Sequence, residues 1–223
     1  MNQRKTVIFD MDGVIFDTEN LCLKSWEYAA DEYNAKDIAP VFKSVIGTTY
    51  DRTKEIVLDH YGKDFPYEDF RKKAGEYFYG YEQKYGMPMK PYVFEIMNWL
   101  KENGYTIALA SSTYRVNVER ELKGAGLFDY FASITCGDSV KRSKPEPDIY
   151  LLACESLGVK PEECYAVEDS INGVLSAYRA GINVIMVPDM LQPDEATKEK
   201  IVAKCDSLTD VIEFLKNERT ARI

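Results

Sequence analysis

Asp10 and Asp12 stand one residue apart where the apolar run Val7-Ile8-Phe9 stops, and Gly13 follows at once. A short apolar run of this kind reads as a buried strand. Open α/β sheets place their chemistry at the carboxyl ends of their strands. Alternation along an extended chain puts the two side chains on one side, close together. Carboxylates that close repel each other unless a cation or a shared proton intervenes. Gly13 lets the backbone turn sharply or approach a ligand. The pattern outlines a metal-assisted active site.

The rest of the chain supplies elements able to position such a site. Further apolar runs occur at Tyr105–Ala110, Phe131–Thr135, Cys164–Val167 and Val184–Val187. Helical patterns lie between them at Val93–Asn103, Val116–Gly124, Ile149–Leu157 and Ile171–Ala180, each followed by a glycine that suits a left-handed helix stop. A last helix near Leu208–Lys216 has Ser207 as its cap. Strand and helix in alternation predict a Rossmann-like, doubly wound parallel sheet with helices on both faces. Residues 19–86 break the rhythm, with no convincing strand and at least three amphipathic patterns, near Leu21–Tyr33, Asp51–Tyr61 and Tyr67–Tyr85. More than half of the sixteen tyrosines fall there. The expected organisation is an α/β core, 1–18 and 87–223, with an all-helical cap domain, 19–86, hinged at Asp17-Thr18 and Gly86-Met87-Pro88.

Composition excludes several functions. The 223 residues carry a formal net charge of −9, so nucleic acid is not an expected partner, whereas a local cation still allows a small phosphorylated metabolite. Five scattered cysteines with no Cys-x-x-Cys pair read as reduced thiols. No apolar stretch approaches membrane-spanning length, and Asp10 interrupts the N-terminal run behind Arg4 and Lys5 too early for a signal peptide. A cytoplasmic monomer that does not engage membranes is expected. The single histidine, His60, sits near a helix end before Gly62, with no Gly-x-Ser-x-Gly elbow to partner it. P-loop and Gly-x-Gly-x-x-Gly signatures are absent.

Four groups fall at or just past strand ends: Asp10-Met11-Asp12, Ser111-Ser112-Thr113, Lys144 within Ser-Lys-Pro-Glu-Pro-Asp, and Glu168-Asp169-Ser170. This ordered set, over essentially the whole chain, resembles the haloacid dehalogenase-like superfamily, in the branch that holds β-phosphoglucomutase and many small-molecule phosphatases. The resemblance implies that Asp10 is a nucleophile forming an aspartyl-phosphate. Magnesium would be held by the Asp10 side chain, the Asp12 main-chain carbonyl and Asp169, with Glu168 acting through a metal-bound water. Asp12 would be general acid, then general base, a role that needs a carboxyl near the metal but not on it. The dehalogenases of the superfamily lack this second acid and use no magnesium, so its presence favours phosphate chemistry.

Ser111 fits the hydroxyl that holds the transferring phosphoryl group, with Ser112 beside it. Capping of the next helix by Ser111, Ser112 or Thr113 is the competing use. Lys144 would offset the negative charge around Asp10. Glu168 and Asp169 would also suit a helix N-terminus. In the cap, β-phosphoglucomutases carry a histidine where this chain has Cys22. They carry an arginine where Gly47-Thr48-Thr49-Tyr50-Asp51-Arg52 places Tyr50. Without those groups, hydrolysis of the phospho-aspartate should dominate over mutase turnover. The expected activity is a magnesium-dependent phosphatase for a sugar or polyol phosphate. Lys24, Tyr50, Arg52, Lys54, Tyr114 and Arg115 are candidate substrate contacts, although Arg115 is also spaced to pair with Glu119. The alternatives are a hexose-phosphate mutase with a rewired cap and a non-catalytic phosphate sensor or scaffold on the same fold.

Overall fold

The computed structural model describes residues 6–46, 48 and 50–220, without the side chains of 219 and 220. Arg4, Lys5, Gly47 and Thr49 of the sequence argument lie outside the described residues. In chain order, β1 (Thr6–Phe9) leads into α1 (Thr18–Tyr33), α2 (Ile38–Val45), α3 (Tyr50–Tyr61) and α4 (Tyr67–Tyr85). Then come α5 (Val93–Glu102), β2 (Thr106–Ser111), α6 (Arg115–Gly124), β3 (Ser133–Cys136) and α7 (Asp148–Leu157). The chain ends through β4 (Cys164–Glu168), α8 (Ile171–Arg179), β5 (Asn183–Met186), α9 (Glu195–Lys198), β6 (Ile201–Lys204) and α10 (Leu208–Thr220). Residues Asp17–Pro88 form one compact unit, and the remainder forms the other.

The second unit is a doubly wound α/β fold. Its six strands are parallel in the order β3-β2-β1-β4-β5-β6, with Phe9 opposite Leu109 on one side and Val167 on the other. Both faces are buried, which is why β1 and β4 read as unbroken apolar runs. On one face Ile8, Ala108, Ala110 and Ala166 meet Ile149, Tyr150 and Ala153 of α7 and Val174 and Ala177 of α8. The alanines on β2 and β4 let those helices approach closely. Because the chain winds outward from β1 in both directions, the strand order reverses beside it, and the carboxyl ends of β1, β2 and β4 border one crevice.

Four elements depart from the sequence reading, one of them the single turn α9, which Asp194 caps by accepting the Thr197 N–H. β3 starts at Ser133, because Phe128–Tyr130 coils into a single 3₁₀ turn and Ser133 is the first residue paired with β2. β6 was not expected. It is a four-residue edge strand whose residues alternate between half-buried and exposed, so it carries no apolar run. In the helical unit, α2 is an additional short helix with Pro40 in its first turn, where a missing N–H costs nothing.

The helical unit has its own core around Trp26. The indole meets Phe42 edge-on at 5.2 Å between ring centroids and Phe70 at 5.3 Å, joining α1, α2 and α4. Phe65 and Tyr33 extend the cluster to Phe70. Most of the tyrosines here stack or pack against neighbours, as amphipathic helices require. Among the described residues, no helix is long and apolar enough to cross a membrane.

Candidate active site

Asp10 is the first residue past β1 and is nearly buried, its N–H bonded to the Val167 carbonyl at 3.0 Å. The chain then folds back on itself through bonds from the Ile15 and Phe16 N–H groups to the Met11 carbonyl. Gly13 adopts φ +79°, and a Cβ there would lie 2.1 Å from Asp169 Oδ2. Glycine is required at this point both for its dihedral and for the closeness of β4's acidic end.

The two aspartates that sequence pairs together take different partners. Asp10 Oδ1 accepts a hydrogen bond from Lys144 Nζ at 2.7 Å. Asp12 Oδ2 accepts one from the Thr113 hydroxyl at 2.8 Å, beyond β2. Lys144 also donates to Glu168 Oε1 at 2.6 Å and to the Ala110 carbonyl at 3.0 Å, so all three ammonium protons are used. Its loop is held in place from α8: Ser176 Oγ donates to the Glu146 carbonyl and Arg179 donates to the Pro145 carbonyl. Burial alone would pull the Lys144 pKa down. The charges and hydrogen bonds of Asp10 and Glu168 outweigh it and hold the group above the usual lysine range.

Glu168 is fully buried. Its Oε1 receives both Lys144 and the Tyr150 hydroxyl, each at 2.6 Å, while Oε2 has no hydrogen-bond partner. Burial pushes its carboxyl up to about 7, against the pull of the Lys144 ammonium. Asp169 is raised well above the ordinary carboxylate range by burial first, and then by the charges of Asp10 and Glu168. Ser170, not either acid, caps α8 by accepting the Gly173 N–H at 3.1 Å. Ligand oxygens of Asp10, Glu168 and Asp169 lie within 4.8 Å of one another. An all-oxygen, like-charged, buried set with an orphaned oxygen suits a hard divalent cation such as magnesium.

Ser111 is fully buried at the end of β2 and accepts the Thr113 N–H at 3.1 Å, which leaves its own proton free to donate. It does not cap α6, whose N-cap position is Tyr114 with no side-chain bond. Ser112 is exposed. Its carbonyl lies against Gly137, where a Cβ would come within 2.0 Å. Thr113 and Tyr150 carry roles that sequence reasoning missed. Thr113 had been read only as a possible cap. Tyr150 looks like any apolar-face residue of α7.

Arg115 gives its guanidinium to the Ile134 carbonyl at 2.8 Å and reaches Glu119 at 3.6 Å, the pairing its spacing allowed. Within the helical unit, Tyr50 and Lys54 both donate to Glu68, at 2.6 and 2.7 Å, and Arg52 donates to Glu55. Lys24 and Tyr114 are exposed. A cavity of about 800 Å³ lies in this unit, lined by Cys22, Trp26, Tyr50, Glu68, Arg71 and Tyr79 among others. Arg71 was not singled out from sequence. Burial pushes the Cys22 thiol up to about 11, so it is protonated at neutral pH and cannot serve as the base that a histidine could be.

Similarity to known proteins agrees with this arrangement. The family model described as haloacid dehalogenase-like hydrolase matches residues 7–187. YhcW of Bacillus subtilis, provisionally named a phosphatase, is 37% identical over 186 residues, covering 83% of this chain and 84% of its own. The phosphorylated carbohydrates phosphatase of Thermotoga maritima is 34% identical over 185 residues, covering 81% and 83%. Among solved structures, a Thermotoga maritima protein provisionally named β-phosphoglucomutase superposes with a TM-score of 0.78 at 32% identity, covering 96% of this chain and 99% of that one. With four groups at the strand ends, the sheet order and these matches in agreement, the chain belongs to the haloacid dehalogenase-like hydrolase family.

Proposed function

We propose that this phosphatase hydrolyses a small phosphorylated metabolite of the sugar or polyol phosphate class, with magnesium as cofactor and an aspartyl-phosphate on Asp10. The observation that carries the reading is the Asp10, Glu168 and Asp169 trio bound into one network by Lys144. Asp10, Asp169 and the Asp12 carbonyl would hold the metal, and Glu168 would reach it through water. When bound, magnesium supplies charge neutralisation that lets a carboxylate approach a phosphate.

The side chains divide the remaining work. Asp10 attacks phosphorus, and Lys144 fixes its carboxylate while adding positive charge beside the transferring group. Ser111, with its proton free, donates to a phosphoryl oxygen. Asp12, oriented by Thr113, gives a proton to the leaving oxygen and afterwards takes one from the attacking water. Substrate discrimination is assigned to the helical unit, where Tyr50, Lys54, Arg71 and Glu68 present a mixed-charge, aromatic surface; Lys24, Arg52 and Arg115 stay secondary candidates. The protonated Cys22 in place of a histidine favours hydrolysis over mutase turnover.

The test is a panel of sugar and polyol phosphates with magnesium, following released phosphate and isomerised product together, with and without a bisphosphate activator. Free phosphate without activator is expected. Isomer without phosphate would establish the mutase instead. Absence of both, with no phosphoryl group trapped on Asp10, would overturn the enzymatic reading in favour of a sensor.

A further inference from the structure

Among the described residues of the α/β unit, two buried side-chain oxygens lack a hydrogen-bond partner, Glu168 Oε2 and Asp189 Oδ2. Both are carboxylate oxygens, and both lie at the carboxyl edge of the sheet. Glu168 is accounted for above. Asp189 is not: it lies outside every strand-end pattern in the sequence, three residues past β5.

Its position follows from the pairing of β4 with β5. Glu168 is opposite Met186, and the Val187 N–H donates to the Glu168 carbonyl at 2.7 Å. The loop after β5 therefore leaves the sheet beside the loop that carries Asp169. The Asp189 side chain is 8% exposed, and its charge reaches Asp169, adding to that of Asp10 and Glu168. Asp189 Oδ1 is held by Lys90 Nζ at 2.7 Å. Lys90 is itself pinned, since its N–H donates to the Ile15 carbonyl at 2.8 Å and the preceding Met89 bridges to Phe16. One oxygen of the carboxylate is thus anchored, and the other is buried without a donor. A buried carboxylate oxygen normally has a donor, because leaving one without is costly.

We infer that Asp189 is a positioning residue for the metal site: Oδ2 accepts a hydrogen bond from a water of the bound ion's hydration shell, and Lys90 fixes the carboxylate for that purpose. The inference rests on the metal reading given under Proposed function. Magnesium keeps several of its waters when it binds a protein, and each such water carries protons that need acceptors. Among the described residues of this unit, Glu168 Oε2 and Asp189 Oδ2 are the buried side-chain acceptors that no other group uses. Partners of this kind, one step beyond the ligands, typically change metal affinity by about 10- to 100-fold when removed. The competing role for the Lys90–Asp189 pair is a strap joining the segment after Pro88 to the loop after β5. A strap would affect unfolding but not the metal.

The full chain, free of substrate, is titrated with Mn2+ and read by electron paramagnetic resonance, with urea unfolding measured on each variant. Wild type should bind one ion and Asp169→Asn should lose it. Asp189→Asn should weaken binding at least tenfold, as should Asp189→Ser, which removes the carboxylate with less bulk and guards against a folding failure. Asp189→Glu should recover part of the affinity. Wild-type affinity in both the Asn and Ser variants, with Asp169→Asn defective, would overturn the role of Asp189 and leave the metal site standing. Failure of the wild type to bind Mn2+ would overturn the metal reading and this inference with it.

Discussion

Gly173→Ala adds one methyl group where the first turn of α8 meets the Glu168 carboxyl. An ideal Cβ there would lie 1.9 Å from Glu168 Oε2, 2.1 Å from its carboxyl carbon and 2.2 Å from Oε1. Gly173 does not sit at positive φ, so helix propensity alone favours alanine by about 1 kcal/mol. Contact geometry opposes it. Reaching an ordinary separation of about 3.4 Å requires the carboxyl to move by roughly 1.5 Å. That shift breaks the 2.6 Å bonds from Lys144 and Tyr150 to Oε1. Overpacking costs about 1–3 kcal/mol and losing hydrogen bonds to a buried charge costs about 1.5–3 kcal/mol, so the net loss is about 2–5 kcal/mol. At about 2–4 °C per kcal/mol for a chain of this size, the melting midpoint should fall by about 4–20 °C. Phosphate release should fall with it, because Glu168 and Lys144 are displaced together. Gly80→Ala in α4, where a Cβ meets nothing within 4 Å, is the control and should stabilise by about 0.5–1 kcal/mol. Thermal unfolding by circular dichroism and a phosphate assay give both readings. A Gly173→Ala protein that melts at or above wild type with full turnover would refute the packing of Glu168 against α8.

Lys144→Met leaves Asp10 and Glu168 buried without their cation, and urea unfolding without metal should show a loss of about 3–5 kcal/mol together with a turnover loss above about 100-fold. Thr113→Val removes the donor that orients Asp12 and should lower kcat by about tenfold with little change in KM, as steady-state kinetics on an aryl phosphate would show. For pH, burial holds the folded Glu168 carboxyl at about 7, above its ordinary 4.5. A carboxyl raised on folding contributes stability that is present below about pH 4.5 and lost as pH rises through 7. Metal-free protein should therefore lose on the order of a few kcal/mol from this group between pH 5 and 8, a slope that Glu168→Gln flattens in urea titrations.

The sequence made the core of the site legible because its parts carry local signatures. Asp10 and Asp12 end an apolar run, Ser111 ends another, and Glu168-Asp169 end a third. A parallel sheet buried on both faces forces such runs, so most of the strands, though not their order in the sheet, could be anticipated from alternation alone. Lys144 was recoverable only through its flanking residues, because one lysine in a loop has no periodicity. What stayed hidden depends on pairing between distant segments. Lys90 and Asp189 are 99 residues apart, Thr113 and Asp12 are 101 apart, and neither pair leaves a local pattern. β6 was invisible for a different reason: an edge strand of four half-exposed residues buries too little to require an apolar run. For Arg115 the spacing to Glu119 spoke for a surface pairing, which the structure shows, and a backbone carbonyl on β3 joins it as a second partner.

Charge and topology together support the proposed division of labour, in which one aspartate attacks and its neighbour handles protons. Asp10, Glu168 and Asp169 with Lys144 sum to −3 + 1 = −2 when all are ionised, which is the deficit a divalent cation balances. All three acids lie on the β1 and β4 side of the crevice, where Gly13 permits Asp169 to approach the chain after β1. Asp12 is drawn the other way, by the Thr113 hydroxyl beyond β2, and is outside the trio. In the proposed mechanism Asp10, bonded to the Lys144 ammonium beside the other two acids, is placed for attack, whereas Asp12, turned toward a neutral hydroxyl, is placed to pass a proton. The reversal of strand order beside β1 is what makes this division possible, because two residues separated by a single position are offered partners from strands on opposite sides. Moving Asp12 into the trio would add a fourth negative charge without a second cation, so in the proposed mechanism its bond to Thr113 would serve the metal site as well as the proton transfer.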